Sequence, residues 1–553
     1  MELNKKKILK HVTVKEIISI FGIITSMIFF SLFEVISIST IPLFANFYFK
    51  KDFSNFIDNE YLFIFEKINS IEILSIIIVL LFVFKNFIGF LVNFNQYNII
   101  KKLLIKISTK LYSNILNRNF LFFAGTNTSL IVRNLTNEID QIGNYLNSLL
   151  IFIKELLLIF FLLIFIIISG YFYAFSYILF IGTILFIFFK IYKKKIHKLS
   201  VKYQLLKGKQ IKKINDSKSL IQEIKIYNLY KFYNLNFNLL QNNLEHLKFI
   251  KNLIISLPRF IIEILFITSI ISLIYFFSQF YNDADIFSLI VFVSVISIRF
   301  IPLYSSLSTS IMNMRTNYPS INLVFKELEV KNKKIEYLKI NKNIKEKNKL
   351  LIVKDLEYRY KKNSKKVINK MNFSVDKSDF VGIVGPSGSG KTTLVNILCG
   401  LIYPNKGEIF NYGNNIYFNL NDWQSKIGYV SSTSLILNES IIKNIVLDQK
   451  VNKSKIIKIL KSLRLHNFLN KLNSNVGDSG GKLSSGQRQR FLIARVLYRN
   501  PEILIFDEVT NYLDKENEEK VLKLIKDINK TKPVILISHK KNNLKYCNKI
   551  IKF

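Results

Sequence analysis

The sequence predicts two unlike domains in one chain, an all-α bundle of six membrane-spanning helices followed by an α/β domain that contains a phosphate-binding loop. Two observations predict this architecture. Long apolar runs dominate up to about residue 310, and beyond about residue 340 the composition is that of a soluble α/β domain. The segment GPSGSGKTT, from Gly385 to Thr393, follows the pattern G-x-x-x-x-G-K-[ST]. We therefore expect a transmembrane domain in residues 1–330, a charged linker in 331–349 and the α/β domain in 350–553.

Six apolar runs are long enough to cross a membrane. A helix rises 1.5 Å per residue, so about 20 residues span the hydrocarbon core of roughly 30 Å. Helices buried in a soluble core are rarely this long, which disfavours the alternative. The predicted spans are about 17–44, 71–94, 148–168, 171–192, 255–277 and 286–308.

The net charge of +40 is unevenly distributed along the chain. Lysines are concentrated in the N-terminus, in 101–118 and in 193–213, whereas 45–70 and 278–285 are mixed or acidic. This asymmetry is the positive-inside pattern, and it places both termini and the phosphate-binding loop in the cytoplasm. We therefore expect a multi-pass protein of the inner (cytoplasmic) membrane, surrounded by membrane lipids, and no nucleic-acid partner.

The phosphate-binding loop lies in the context that the motif requires. An apolar run, Phe380–Val384, predicts a buried strand before it, and a helix is predicted after it. Inward-turned backbone N–H groups at a helix N-terminus bind phosphate oxygens, and a simple glycine-rich turn would not need this context. We expect the loop to bind a nucleoside triphosphate together with Mg²⁺. The expected nucleotide-binding residues of the loop are Gly385, Ser387, Gly388, Gly390, Lys391, Thr392 and Thr393.

Three further motifs follow in a specific order. They are Leu483–Gln487 (LSSGQ), Asp507-Glu508 after an apolar strand, and His539 after another. In order and spacing, residues 350–553 resemble the nucleotide-binding domain of ATP-binding cassette (ABC) transporters. The resemblance implies a P-loop domain that hydrolyses ATP to drive transport, joined here to a transmembrane domain of the ABC exporter type.

The resemblance also implies a role for each motif residue. Asp507 would hold Mg²⁺ together with Thr392, and Glu508 would activate the attacking water as a general base. His539 would contact the γ-phosphate, and Asp514 matches the aspartate of the D-loop.

A tyrosine near the start of the domain matches the family's adenine-stacking aromatic. Tyr360 has the matching position, although Tyr358 and Tyr360 alternate on a predicted strand and either could be a core residue.

The family's signature sequence implies a dimer. Ser484, Gly486 and Gln487 would act on ATP held by the P-loop of another subunit, because two cassettes meet head to tail. One cassette and six spans make a half-transporter. Its partner would be a second copy of itself, or a related half-transporter.

Two positions depart from the family pattern. Ser432 stands where glutamine is usual, and a serine could reach the metal site only through a water. Ser485 replaces the first signature glycine. These departures put the hydrolysis rate and the coupling in question, and they keep a heterodimer open.

Long intracellular extensions are expected between spans 2 and 3 and between spans 4 and 5. Residues 95–147 and 193–254 are too long for membrane turns. Short coupling helices are expected near Gly125–Arg133 and near Ser217–Tyr227.

Charged residues inside spans are costly and tend to face a cavity. Lys85, Arg259 and Arg299 are basic, and Glu34 and Glu263 are the main acidic ones. In one account Glu263 pairs with Arg259 and Lys85 extends its amine to the membrane surface. In the other, the cations line a cavity that binds a phosphate or pyrophosphate.

Four segments resemble PglK-type lipid-linked oligosaccharide flippases. They are Phe33–Pro42, Leu257–Glu263, Arg299 with Pro302, and Val476–Gly480. The resemblance implies a polyprenyl-pyrophosphate glycan as cargo, bound by the basic residues. It also implies an external lipid-contacting helix in residues 50–70. The alternatives are an exporter of another lipid, peptide or drug, and a weakly hydrolysing subunit of a heterodimer.

Overall fold

The computed structural model describes residues 13–48, 71–168, 172–277, 283–330, 349–361, 364–386, 388–511 and 513–553. The predicted external helix in residues 50–70 lies outside them. The chain divides into two compact units, one of residues 1–118 with 125–332 and the other of residues 119–124 with 333–553. Each unit is described by itself.

The first unit is entirely helical in its described part. The helices described before residue 331 are Val14–Tyr48 (α1), Ile71–Leu116 (α2), Phe120–Gly125 (α3), Thr128–Leu135 (α4), Asn137–Ile168 (α5), Phe172–Ser219 (α6), Ile221–Ile226 (α7), Tyr230–Phe277 (α8) and Asp283–Glu329 (α9). All of helix α3 except Gly125 lies in residues 119–124, which are grouped with the second unit. The described residues of each predicted span lie within one long helix, because backbone groups in lipid must be bonded inside the segment.

Three helical segments meet criteria of length and apolar composition for crossing a membrane, and the third covers both α4 and α5. Within the described residues they are Val14–Ile41, Glu72–Leu116 and Thr128–Ile168. Helix α2 has 46 residues, or about 69 Å at 1.5 Å per residue, which is twice the thickness of a hydrocarbon core. It therefore continues well beyond the span predicted at 71–94, as the predicted extension requires.

The apolar core of this unit forms where α1, α5 and α9 pack together. Met27, Leu158, Leu162 and Phe300 are completely buried there. The short helices α4 and α7 lie at the two places where coupling helices were predicted. Their role in coupling stays a prediction.

The second unit contains two sheets. Its strands are Leu351–Tyr358 (β1), Ile368–Val375 (β2), Phe380–Val384 (β3), Lys406–Asn411 (β4), Asn414–Asn415 (β5), Ile427–Ser431 (β6), Ile503–Asp507 (β7), Val534–Ile537 (β8) and Lys549–Lys552 (β9). An antiparallel sheet has the order β2-β1-β4-β5, and a parallel sheet has the order β6-β7-β8-β3-β9.

Helices cover the parallel sheet, as its buried strands require. They are Lys391–Leu398 (α10), Leu420–Lys426 (α11), Ile441–Val446 (α12), Lys453–Ser462 (α13), Ser485–Arg499 (α14) and Lys515–Asn529 (α15). Short 3₁₀ turns occur at Ile416–Phe418, His466–Phe468, Asp478–Gly480 and Lys541–Tyr546. Strands β3, β7 and β8 are neighbours, so the loops at their carboxyl ends meet at one edge of the sheet, where ligands of open α/β sheets bind.

Candidate functional site: a nucleotide site and a buried charge cluster

The phosphate-binding loop joins β3 to α10, as predicted. Gly390 has φ +113°, and a Cβ atom there would lie 2.5 Å from Val367 Cγ1, so only glycine fits. The Lys391 Nζ atom donates hydrogen bonds to the carbonyl oxygens of Gly385 and Pro386, each at 2.8 Å. The amine is thereby held over the loop, where phosphate oxygens would replace the carbonyls. Ser387 lies outside the described residues.

The two tyrosines of β1 and the loop after it have different environments. Tyr358 is buried, whereas Tyr360 is 54% exposed and meets the Tyr358 ring edge-on at 5.1 Å. The Tyr360 hydroxyl lies 2.9 Å from Oγ1 of Thr393, which follows the exposed Thr392 in α10. The structure therefore assigns Tyr358 to the core and brings Tyr360 to the loop, where its ring is available to stack on a base.

Asp507 ends β7 with one carboxylate oxygen free of partners. Its Oδ2 accepts a hydrogen bond from the Tyr429 hydroxyl at 3.3 Å, and its buried Oδ1 has no hydrogen-bond partner among the described residues. Burial, and then the neighbouring charge of Glu508, raise the pKa of the Asp507 carboxyl. Buried oxygens normally accept a hydrogen bond, so an unbonded Oδ1 is consistent with an oxygen that would face a bound cation or a water of its hydration shell. Asp507 and Thr392 thus suit the hard oxygen-ligand preference of Mg²⁺.

Glu508, His539 and Asn511 form a small hydrogen-bonded network. His539 Nδ1 lies 3.0 Å from Glu508 Oε1, and Asn511 Nδ2 donates to Glu508 Oε2 at 2.7 Å. The same Asn511 amide lies 3.1 Å from His539 Nε2. An amide nitrogen only donates, so Nε2 accepts and the proton of a neutral ring is on Nδ1, facing Glu508. Both carboxylate oxygens are therefore held.

The backbone of Glu508 has a conformation that non-glycine residues seldom adopt. Its φ is +53°, and its N–H donates to the carbonyl of Ile537 in β8 at 3.1 Å. Such strain persists only where the surroundings impose it, and it is frequent at functional sites. Here it turns the side chain from the strand end toward His539.

Asn511 was missed by the sequence analysis. The sequence signal was its offset of three residues from Glu508. The structure shows that the two residues form a turn, in which the Asn511 N–H donates to the Glu508 carbonyl at 3.2 Å.

The signature residues form a capped helix start. Ser484 Oγ accepts from the Gln487 N–H at 3.3 Å, and Gln487 Oε1 accepts from the Ser484 N–H at 3.0 Å. This capping box fixes the first turn of α14. Ser485, one of the two departures, is exposed on that turn.

Two of the predicted site residues meet through Asn517. A Cβ atom at Gly486 would lie 3.1 Å from Asn517 Oδ1, and Asn517 Nδ2 donates to Asp514 Oδ1 at 2.6 Å. The signature turn and the residue before α15 are therefore joined within one chain.

Ser432, the other departure, lies next to the metal-site strand. Its N–H donates to the carbonyl oxygen of Asp507 at 3.1 Å. The main chain at Ser432 therefore lies beside the end of β7, and its side chain is shorter than the glutamine usual at this position.

The structure contradicts the part of the first account in which Lys85 extends its amine to the membrane surface. The Lys85 side chain is 9% exposed, and its Nζ lies 2.9 Å from Glu34 Oε1. Arg299 Nη2 lies 2.6 Å from the same oxygen. The two cations therefore converge on one buried carboxylate. Arg259, by contrast, pairs with Glu263 on its own helix at 3.0 Å, as the first account predicted.

Two more charges belong to this region and were missed. Lys154 Nζ lies 3.8 Å from Glu155 Oε1, which also accepts a hydrogen bond from Ser306 Oγ at 3.0 Å. Glu155 interacts electrostatically with Glu34 and Arg299. We call Glu34, Lys85, Lys154, Glu155 and Arg299 the charge cluster. The signal was present in the predicted span 148–168, which contains a lysine and a glutamate.

Comparison with known families identifies the class of protein. The family model described as "ABC transporter transmembrane region" matches residues 17–303, and the one described as "ABC transporter" matches residues 368–511. The chain therefore belongs to the ABC transporter family. The matched residues comprise one transmembrane region followed by one ATP-binding cassette.

Individual relatives match the cassette only. The chain is 39% identical over 204 residues to the alpha-hemolysin translocation ATP-binding protein HlyB of Escherichia coli O157:H7. It is 37% identical over 204 residues to the leukotoxin translocation ATP-binding protein LktB of Mannheimia glucosida. Each match covers 36% of this chain and 29% of the relative. Both names refer to toxin translocation, so they do not support the resemblance to oligosaccharide flippases.

A solved structure confirms the fold. The chain superposes on a structure titled a bacterial Atm1-family ABC exporter with ATP bound, with a TM-score of 0.76 and 17% identity. The match covers 97% of this chain and 93% of the other. At this identity the likeness concerns the fold alone.

Proposed function

We propose that the chain works as a homodimer that uses ATP to move an amphiphile with a phosphate or pyrophosphate head group across the inner membrane, with a lipid-linked oligosaccharide as the leading cargo. The observation that carries this proposal is the charge cluster. It has three basic residues against two acidic ones, Lys85, Lys154 and Arg299 against Glu34 and Glu155. A surplus cation inside a membrane domain is costly unless an anion uses it.

The nucleotide site supports ATP hydrolysis by this chain. When bound, Mg²⁺ on Thr392 and Asp507 would neutralise phosphate charge. Lys391 would exchange its two loop carbonyls for phosphate oxygens. Glu508 would take a proton from the attacking water, with both of its oxygens oriented by neighbouring side chains.

The signature sequence supports the proposed dimer. At the capping box that begins α14, the cap residue Ser484 and the first helical residue Ser485 are exposed. A helix N-terminus favours an anion, and in this family that anion is ATP on the opposite subunit. We propose that a second copy supplies it.

A polypeptide exporter is the second candidate. It is favoured by the names of the HlyB and LktB relatives, which are called toxin translocation proteins. The similarity to them lies in 204 residues, and the cassette is the part of a transporter that acts on ATP rather than cargo. We therefore rank the phosphate-bearing amphiphile before the polypeptide, because the charge cluster lies in the transmembrane domain.

Reconstitution tests the proposal. The purified protein in proteoliposomes would receive a labelled polyprenyl-pyrophosphate oligosaccharide, and ATP-dependent movement of the label between leaflets would be followed. Glu508→Gln is the control. Movement by the wild type alone supports the proposal and a homodimer that is active despite Ser432. Hydrolysis without movement would exclude this cargo, and absence of both would point to a missing partner chain.

A further inference from the structure

The Glu34 carboxylate binds two cations from two other helices with one oxygen atom. Lys85 of α2 and Arg299 of α9 both contact Oε1, at 2.9 and 2.6 Å. The Glu34 side chain is 1% exposed and that of Lys85 is 9% exposed, so the contact is largely shielded from solvent. Buried charges are tolerated when they are paired. Glu34 contacts both cations, and Glu155 of the charge cluster also interacts with Arg299.

Arg299 retains hydrogen-bonding capacity that Glu34 does not use. Its side chain is 35% exposed, and its buried Nε has no hydrogen-bond partner in the part of the chain that the structure describes. A guanidinium has five N–H donors arranged to bind two oxygens at once. Phosphate groups match that geometry better than a single carboxylate oxygen does.

We infer that Glu34 is an internal anion that occupies the cargo's anion site and is displaced when a phosphate or pyrophosphate head group binds Lys85 and Arg299. This inference rests on the function proposed above. A pyrophosphate has more charge and more acceptor oxygens than one carboxylate, so it can replace Glu34 on both cations. A neutral ligand cannot, and a monocarboxylate gains no advantage over Glu34. Glu34 therefore determines specificity by competition.

Competition and a purely structural ion pair predict opposite results when the charge of Glu34 is removed. If Glu34 competes with the cargo, its neutralisation strengthens anion binding because the two cations become free. If Glu34 only holds Lys85 and Arg299 in place, the same change weakens binding, since the cations lose their orientation.

The test uses the full-length protein in phosphatidylcholine nanodiscs, without nucleotide. The probe is labelled farnesyl pyrophosphate, and the neutral match is labelled farnesol. We expect Glu34→Gln to lower the half-saturating concentration of farnesyl pyrophosphate about tenfold, with no change for farnesol. Glu263→Gln is the matched control, because it removes the carboxylate of the separate pair with Arg259. It should leave both ligands unchanged.

The other possible outcomes separate the competition by Glu34 from the proposed cargo. Equal or weaker binding of farnesyl pyrophosphate by Glu34→Gln, with clear binding by the wild type, overturns the competition and leaves the anionic cargo standing. Binding by neither protein overturns the proposed cargo and the inference together. Inorganic pyrophosphate that competes as well as the lipid supports the anion site and rejects a lipid requirement. If Glu34→Gln does not fold, Glu34→Asp, whose shorter side chain loosens the contact, should tighten binding in the same direction.

Discussion

At the scale of single residues, Asn511 links the two side chains that would act on the γ-phosphate. It contacts both Glu508 and His539. We expect Asn511→Ala to lower the kcat of ATP hydrolysis roughly tenfold with little change in KM, because the general base is misoriented while the phosphate loop is intact. Steady-state kinetics would measure this. Asn369→Ala, on an exposed position of β2, is the control, and an unchanged kcat for Asn511→Ala would show that Glu508 needs no such support.

Removing the buried charge of Asp507 is expected to stabilise the fold, although Asp507 is a predicted Mg²⁺ ligand. Burial raises its pKa in the folded state, so the folded protein binds a proton more tightly than the unfolded chain does. Stability therefore falls as pH rises from the unfolded pKa through the folded one, and it stays low above that range. Asp507→Asn removes the charge. Without nucleotide at neutral pH we expect its Tm to be roughly 2–4 °C higher than that of the wild type.

Two comparisons test whether the higher Tm of Asp507→Asn comes from removing a buried charge. The difference in Tm should shrink at acidic pH, where the wild-type carboxyl is protonated. Asp527→Asn, at an exposed aspartate that pairs with Lys530, should have no such effect. A gain that is the same at every pH would contradict the explanation by burial.

At the scale of elements, the phosphate loop depends on backbone conformation more than on side chains. Gly390 combines positive φ with a clash against Val367, whereas Gly388 has φ +78° and open space around a Cβ. We expect Gly390→Ala to abolish binding of a fluorescent ATP analogue and Gly388→Ala to weaken it only, since αL strain alone costs roughly 1–2 kcal/mol. Gly22→Ala, with open space in α1, should bind normally. An equal loss of nucleotide binding in Gly388→Ala and Gly390→Ala would show that Val367 moves away from the new Cβ atom at position 390.

The helix ends show which contacts can be predicted from neighbouring residues in the sequence. The capping box of α14 and the glycine that begins α10 could be recognised as motifs, since their hydrogen bonds join residues within a few positions. The pair of Arg259 and Glu263 was predictable for the same reason, because residues four apart share a helix face. The contact of Glu34 with Lys85 joins residues 51 positions apart, and no periodicity indicates it.

At the scale of the whole molecule, hydrolysis and dimerisation are expected to be coupled through Glu508. Without its base, a cassette pair that has bound ATP cannot return to the open state. We therefore expect Glu508→Gln to accumulate as an ATP-bound closed dimer. Retention of labelled ATP on the full-length protein after gel filtration would measure this, with the wild type as control. Wild-type rates of hydrolysis in Glu508→Gln would show that another group is the base.

The sequence by itself determined the class of this protein. The order of the phosphate loop, the signature, Asp507-Glu508 and His539 implied the cassette, and the apolar runs predicted the helices that the structure contains. Such signals are local, because a loop that binds phosphate and a helix that crosses lipid are each specified by neighbouring residues.

Only the tertiary structure decided which side chains meet. It separated Tyr358 in the core from Tyr360 at the nucleotide loop, brought Asn511 to both Glu508 and His539, and placed two cations on Glu34. The physical reason is that the contacts of Asn511 with His539, and of Glu34 with Lys85 and Arg299, join segments distant in the chain. Their partners are set by packing, and packing is a property of the folded molecule.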